Sequence, residues 1–294
     1  MGRNWEQIKM IDFLHSGDMG DIVSSLPTVK DLCEIRHDKA RIFLDASGGI
    51  TDQFVLYQSR GRGLKFNKKS AEFLAPLLRV QPYVGEVVIT DNPPKVDYNL
   101  NQFRKAFLDR KIAEETNQNL MELHQVAFGI DPGYRGPWLS PTSGIAVDPG
   151  SITVARSTRY QSGHVYLDAR KYMLASVGQF VGTDLEHAAF EDAFQIKIRR
   201  KVVKDALEMA QVVQGSQTII ANGTLLYWVA VGLGHPRIAH EQGVDIPTTV
   251  FRDRPNYPAP PITYFCGAWP VTYRINSEQM AAQKVSSVGS NVGS

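Results

Sequence analysis

The sequence predicts an α/β protein made of two successive halves, each a parallel sheet with helical crossovers. Three observations carry this. The 294 residues suffice, at about 150 per domain, for two domains with cores of their own. In both halves short apolar runs alternate with segments of helical periodicity, the pattern of strands joined by crossover helices. Between the halves, residues 129–137 read GIDPGYRGP, whose glycines and prolines cannot continue a helix. The expected division is residues 1–136, 137–285 and a short tail, 286–294.

In the first half, residues 8–14 (IKMIDFL) form an apolar run rich in strand formers, followed at once by a turn carrying Gly17 and Gly20. Over residues 21–36 the apolar positions Ile22, Val23, Leu26, Val29, Leu32 and Cys33 recur at helical spacing, and Asp21 stands where a carboxylate complements the helix dipole. Pro27 is read as an early-turn residue of that helix. Residues 41–45, 86–90 and 97–100 are the next strands, and 101–128 is a helical stretch. Residues 48–70, basic and glycine-bearing without clear periodicity, read as an exposed loop.

In the second half, residues 151–155 and 179–182 are strands, and residues 204–214 are a helix closed by Gly215. Residues 218–221 are a further strand, from which Asn222-Gly223-Thr224 leads into the apolar helix LLYWVAVGLG. Residues 236–240 form a final short strand. Six prolines in 247–270 predict a loop, and the Ser/Gly-rich residues 286–294 predict disorder.

Composition narrows the class. Hydrophobic residues make up 43% and charged residues 21%, as in a folded globular protein. A formal net charge of +2 provides no global field toward nucleic acid or acidic lipid. The two cysteines, Cys33 and Cys266, stand in no CxxC or Cys/His spacing, which points to a reducing compartment. With no signal-peptide core and no run of the roughly 18 apolar residues that span a bilayer, no integral membrane segment and a cytoplasmic location are expected. The seven histidines show no metal-ligand spacing, so no metal is expected.

The two strand-to-helix turns are the candidate sites, because helix N-termini present free amides beyond the carboxyl ends of parallel strands. The first, HSGDMGD, is neither a dinucleotide fingerprint nor a phosphate loop. It places Asp18 and Asp21 where either could act as a base, and where either could equally cap the helix. His15, before this turn, could contact a phosphate or acceptor, or be a bystander. The basic run from Arg60 to Lys69 reads as a solvated loop.

Met19-Gly20-Asp21-Ile22-Val23 followed by Leu26-Pro27 resembles the opening loop of the glycosyltransferase family 9 enzymes, which include the ADP-heptose:lipopolysaccharide heptosyltransferases. Three further segments resemble that family, in its order. They are Arg156-Ser157-Thr158-Arg159-Tyr160; Phe180-Val181-Gly182-Thr183 with Glu186 and Phe190; and residues 221–236. The sequence departs from the family pattern at Asn222, where heptosyltransferases carry Asp, and at Tyr227-Trp228, where they carry a helix histidine.

The resemblance implies a GT-B fold, two Rossmann-like domains facing across a cleft, with acceptor on the first and nucleotide-sugar donor on the second. It implies a metal-independent, inverting glycosyltransferase with no cofactor beyond its nucleoside-diphosphate sugar, and with Asp21 as general base. Donor contacts would come from Arg156, Thr158, Arg159, Glu186, Asn222, Gly223 and Thr224, and the acceptor-side loop from His15, Gly17, Asp18 and Gly20. The acceptor, a glycan, a lipid-linked sugar or a modified nucleobase, is left open. So are three alternatives: a nucleotide-sugar binding protein without transfer, an epimerase of the same architecture, and a transferase acting on modified DNA bases.

Overall fold

The computed structural model describes residues 9–47, 66–108, 118–140, 151–158, 178–241, 250–251 and 256–265. In the first half these form β1 (Met10–His15), α1 (Met19–Arg36), β2 (Lys39–Asp45), α2 (Lys68–Arg79), β3 (Val84–Thr90) and β4 (Tyr98–Asn99). A 3₁₀ turn (Leu100–Gln102), α3 (Phe103–Leu108) and α4 (Leu120–Ala127) complete it. The second half holds β5 (Ile152–Ala155), β6 (Gly178–Phe180), α5 (Asp184–Phe194), β7 (Arg199–Arg200) and α6 (Ala206–Gly215). It continues through β8 (Thr218–Ala221), α7 (Leu225–Gly232), β9 (Ile238–Glu241) and β10 (Ile262–Phe265).

The strands make two separate sheets, ordered β3-β2-β1-β4 and β10-β9-β8-β5-β6-β7. Every pairing is parallel. The second sheet has the full doubly wound Rossmann order and the first its opening four strands, so each reverses direction of growth at one place: between β1 and β4, and between β5 and β8. Ligand crevices of open α/β sheets lie at such reversals, beyond the strands' carboxyl ends.

Helix α1 joins the halves. Residues 22–29 are buried without a break, although a surface helix would alternate. The cause is packing on several sides: α1 contacts β1 and β2, α4, and α7 of the second half, while α2 contacts α6. One apolar core therefore runs across both halves, from Val23 and Leu26 to Leu226, Tyr227 and Trp228. A smaller cluster, including Phe180, Phe190 and Ile220, covers the other face of the second sheet.

Several sequence expectations need correction. Helix α1 begins at Met19, which puts Pro27 well inside it rather than in its first turn. Proline donates no hydrogen bond there, and nearby Ser24 and Ser25 hydroxyls bond back to the Asp21 and Ile22 carbonyls. Part of the expected 48–70 loop is structured: Phe66 is buried and Asn67 caps α2 by accepting from the Ser70 amide at 3.0 Å. The expected 101–128 helix is not continuous, because Asn119 and Glu122 form a capping box that starts α4 afresh. Strand β9 is not the last, since β10 lies within the proline-rich stretch and pairs with β9. The expected disordered tail, 286–294, lies outside the described residues.

Candidate functional site

The first sheet's reversal is crowded with polar groups. His15 ends β1 wholly buried, and its Nδ1 accepts the Gly17 amide at 2.9 Å. Asn101, beyond β4, reaches across the reversal: its Oδ1 accepts from Ser16 N and Ser16 Oγ at 3.1 Å each, and from Arg104 Nη1 at 3.0 Å. Arg104 is 4% exposed, with its guanidinium 5.2 Å from the Phe103 ring centre.

These groups converge on the bare face of Gly17. A Cβ built there would lie 2.7 Å from His15 Cε1, 2.8 Å from Arg104 Nη2 and 3.0 Å from Asp21 Oδ2. Only glycine lets an imidazole, a guanidinium and a carboxylate approach one point this closely. Asp18 is the N-cap of α1 through its backbone, the Ile22 amide bonding its carbonyl at 3.1 Å, and its side chain makes no cap hydrogen bond. Asp21 stands in the first turn.

Burial pushes the His15 pKa well down, helped by the positive charge of Arg104 and by neighbouring His124. His124, its Nδ1 2.7 Å from the Leu120 carbonyl, is pushed down to about 3, also mainly by burial. Both rings are therefore neutral near pH 7.

The second reversal is held by Asn222. Its Oδ1 accepts from Ser157 N at 3.0 Å and its Nδ2 donates to Ser157 O at 2.9 Å, so this wholly buried side chain ties the β5 and β8 loops together. Gly223 follows, and Thr224 caps α7 by accepting from the Tyr227 amide at 3.4 Å. First-turn amides of a helix have no intrahelical acceptor, so α7 points its positive end at this reversal.

Arg156 is engaged differently from the expectation of a phosphate ligand. It is 7% exposed and forms a fork with Glu241 at the end of β9, Nε to Oε2 at 2.7 Å and Nη2 to Oε1 at 2.9 Å. Among the described residues its buried Nη1 has no hydrogen-bond partner. Thr158 is exposed in the turn after β5, and Arg159 lies outside the described residues. Glu186 is the third helical residue of α5, where its Oε2 accepts from the Thr183 amide and hydroxyl at 2.9 Å each, a capping box.

The two turns meet through Gly20. A Cβ there would sit 3.2 Å from Trp228 Cδ1 and 4.0 Å from the Leu225 amide, so the first turn of α1 abuts the first turn of α7. The structure thus brings His15, Gly17, Gly20 and Asp21 beside the helix that follows Asn222, Gly223 and Thr224. Arg156 and Glu186 are committed to partners within the second half.

Sequence reading missed Asn101, Arg104, His124, Glu241 and the role of Trp228. For Asn101 and Arg104 a signal existed, since they follow a strand as the other site residues do. Among the described residues no group of three or more His, Cys, Asp or Glu could hold a metal ion, and no helix is long and apolar enough to cross a membrane.

No protein-family model matches the sequence, and no curated protein matches it. Solved structures do. A family 9 glycosyltransferase from Veillonella parvula DSM 2008 superposes with a TM-score of 0.54 at 12% identity, over 97% of this chain and 90% of that one. TibC of enterotoxigenic Escherichia coli H10407, a dodecameric iron-containing glycosyltransferase, gives a TM-score of 0.51 at 12% identity, over 89% of this chain and 64% of that one. The fold implied by the motif resemblance is the fold found: two parallel α/β sheets in GT-B arrangement, shared with a glycosyltransferase of family 9.

Proposed function

We propose that the chain is a metal-independent, inverting glycosyltransferase of GT-B type, using a nucleoside-diphosphate sugar, with residues 1–136 carrying the acceptor and 137–285 the donor. The observation that supports this most is the abutment of the Asp21 turn on the N-terminal turn of α7 through Gly20 and Trp228. It brings the turn that carries Asp21 against the first turn of α7.

In this reading Asp21 removes the proton from an acceptor hydroxyl as its oxygen attacks the anomeric carbon from the face opposite the diphosphate. The carbon–oxygen bond to the diphosphate breaks, and the configuration inverts. Base catalysis of this kind contributes about 10²–10⁴ in rate. The departing charge is met by the amides and dipole of α7 beyond Gly223 and Thr224, by Thr158 and Arg159, and by Arg156 through Nη1. Asn222 serves the donor site by holding Ser157, and Glu186 by starting α5. His15, Gly17, Asp18 and Gly20 shape the acceptor side.

A thermal-shift panel of nucleoside diphosphates and their sugars identifies the donor, because a ligand of the native state raises its melting temperature. With that donor, Asp21→Asn is expected to cut turnover at least ~100-fold while leaving nucleotide affinity within about threefold. Unchanged turnover would overturn the assignment. A donor converted to its epimer without acceptor would favour the epimerase.

A further inference from the structure

We propose that His15 is a positioning residue for the Asp21 turn: its neutral ring, protonated on Nε2, grips the Gly17 amide and so fixes Gly17 against the Asp21 carboxylate and the Arg104 guanidinium. The inference deepens the glycosyltransferase reading and rests on it for its catalytic meaning; its structural content stands alone.

The tautomer follows from the bond. A backbone amide can only donate, so the 2.9 Å contact from Gly17 N leaves Nδ1 as a lone pair and puts the ring proton on Nε2. That Nε2 is buried and has no hydrogen-bond partner among the described residues, so the bond from Gly17 is the ring's one hydrogen bond there. The turn is then held at two consecutive residues, Ser16 by Asn101 and Gly17 by His15. Held there, Gly17 turns its bare face to both groups, and the Cβ it lacks would lie 3.0 Å from the carboxylate and 2.8 Å from the guanidinium.

The neighbours keep the ring in this state. Phe103 from α3 lies 6.0 Å away and His124 from α4 lies 5.6 Å away, ring centre to ring centre. His124 uses Nδ1 on the Leu120 carbonyl, which makes it the donor there and leaves its own Nε2 a lone pair toward the same interior. Among the described residues Arg104 from α3 and Asp21 from α1 are the charged groups at this pocket, and burial together with the cation opposes protonation of either imidazole. An imidazolium at position 15 could not accept from Gly17, so the turn and a neutral ring stand or fall together.

Two measurements on the full chain test this. In protein carrying ¹⁵N-labelled histidine, long-range correlation spectra at neutral pH should show His15 with bare Nδ1 and protonated Nε2. An Nδ1–H tautomer or an imidazolium overturns the proposal, whatever the variants do. In the second, His15→Asn places an amide oxygen where Nδ1 sits, and His15→Gln places its amide near Nε2. Hydrogen exchange at Gly17 should stay within about twofold of wild type in H15N and accelerate about tenfold in H15Q, the equivalent of one hydrogen bond. Equal exchange in all three chains, or H15N as unprotected as H15Q, refutes the grip.

The catalytic meaning is read from nucleoside diphosphate released from a panel of ADP-, GDP- and UDP-sugars. H15Q should lose kcat with donor KM unchanged, and H15N should recover most of it. A wild-type chain that turns over none of them defeats the transferase reading while the exchange and tautomer results still judge the grip. An H15Q chain with unchanged kcat overturns the positioning role.

Discussion

The side chain of Asn222 grips the backbone of Ser157 at both ends, accepting from its amide and donating to its carbonyl. The same device recurs in the first half, where Asn101 beyond β4 accepts from Ser16 beyond β1. Each parallel sheet is thus stitched across its reversal by an asparagine on a serine, and the residue before that serine, His15 or Arg156, is buried with one nitrogen unpartnered among the described residues. The halves share this pattern without any sequence repeat.

Replacing the second stitch has a defined sign. Asn222→Ala leaves both polar groups of Ser157 without this partner and should cost about 1–3 kcal/mol in urea unfolding. Asn222→Asp keeps an acceptor but sets a carboxylate oxygen against the Ser157 carbonyl, so it should cost at least as much near pH 7. Measured against wild type at each pH, part of that loss should return near pH 5, where a protonated carboxyl can donate again.

Arg156 and Glu241 form an ion pair that is 7% and 5% exposed. Its charges have left water, so the pair is held by its own geometry and is fragile to single changes. Glu241→Gln strands a guanidinium and should destabilise by about 3–5 kcal/mol. The double variant Arg156→Met/Glu241→Leu removes both charges and should recover most of that loss, as read from chemical denaturation. If the two effects simply add, the pair is not coupled as the fork geometry requires.

Gly17 and Gly20 should differ in their response to a methyl group. At Gly17 the atom nearest to an added Cβ is a ring carbon at 2.7 Å, in an imidazole packed beside the stacked rings of Phe103 and His124. Gly17→Ala should cost about 1–3 kcal/mol from overpacking, with loss of turnover. At Gly20 the nearest contact is 3.2 Å, to Trp228. Gly20→Ala should cost less, and adding Trp228→Phe should relieve it, a non-additivity of about 0.5 kcal/mol or more in thermal unfolding.

What the sequence disclosed and what it hid follow the range of each interaction. Strands β1, β2, β3, β5 and β8 were legible because period and flanking turns are local signals. Helix α2 was hidden behind the basic stretch before it, and β10 by prolines that flank the strand without interrupting its ladder. Thr183-Asp184-Leu185-Glu186 spells a capping box, yet the resemblance drew attention to Glu186 as a ligand instead. The pairing of Arg156 with Glu241 spans 85 positions, as does the Ser16–Asn101 stitch. Both depend on which strand lies beside which, and that order is fixed by the packed sheet, outside the reach of any local pattern.

Acid sensitivity follows from the buried imidazoles. His15 is held well below the ordinary value of 6.5, His124 is pushed to about 3 and His240 to about 4, each chiefly by burial. The folded chain keeps these rings neutral, whereas the unfolded chain protonates them below about pH 6.5. Their contribution is therefore fully present above that value and is lost as pH falls toward the folded values, at about 1.4 kcal/mol per pH unit for each ring once below it. Unfolding free energy measured in urea should fall steeply between about pH 6 and pH 4. Replacing His240, which stacks on Tyr227 at 4.1 Å, by Phe removes one titrating group while keeping the stack, and should make that fall shallower by about one proton's slope. An unchanged slope in His240→Phe would mean that this ring already carries its charge in the native state.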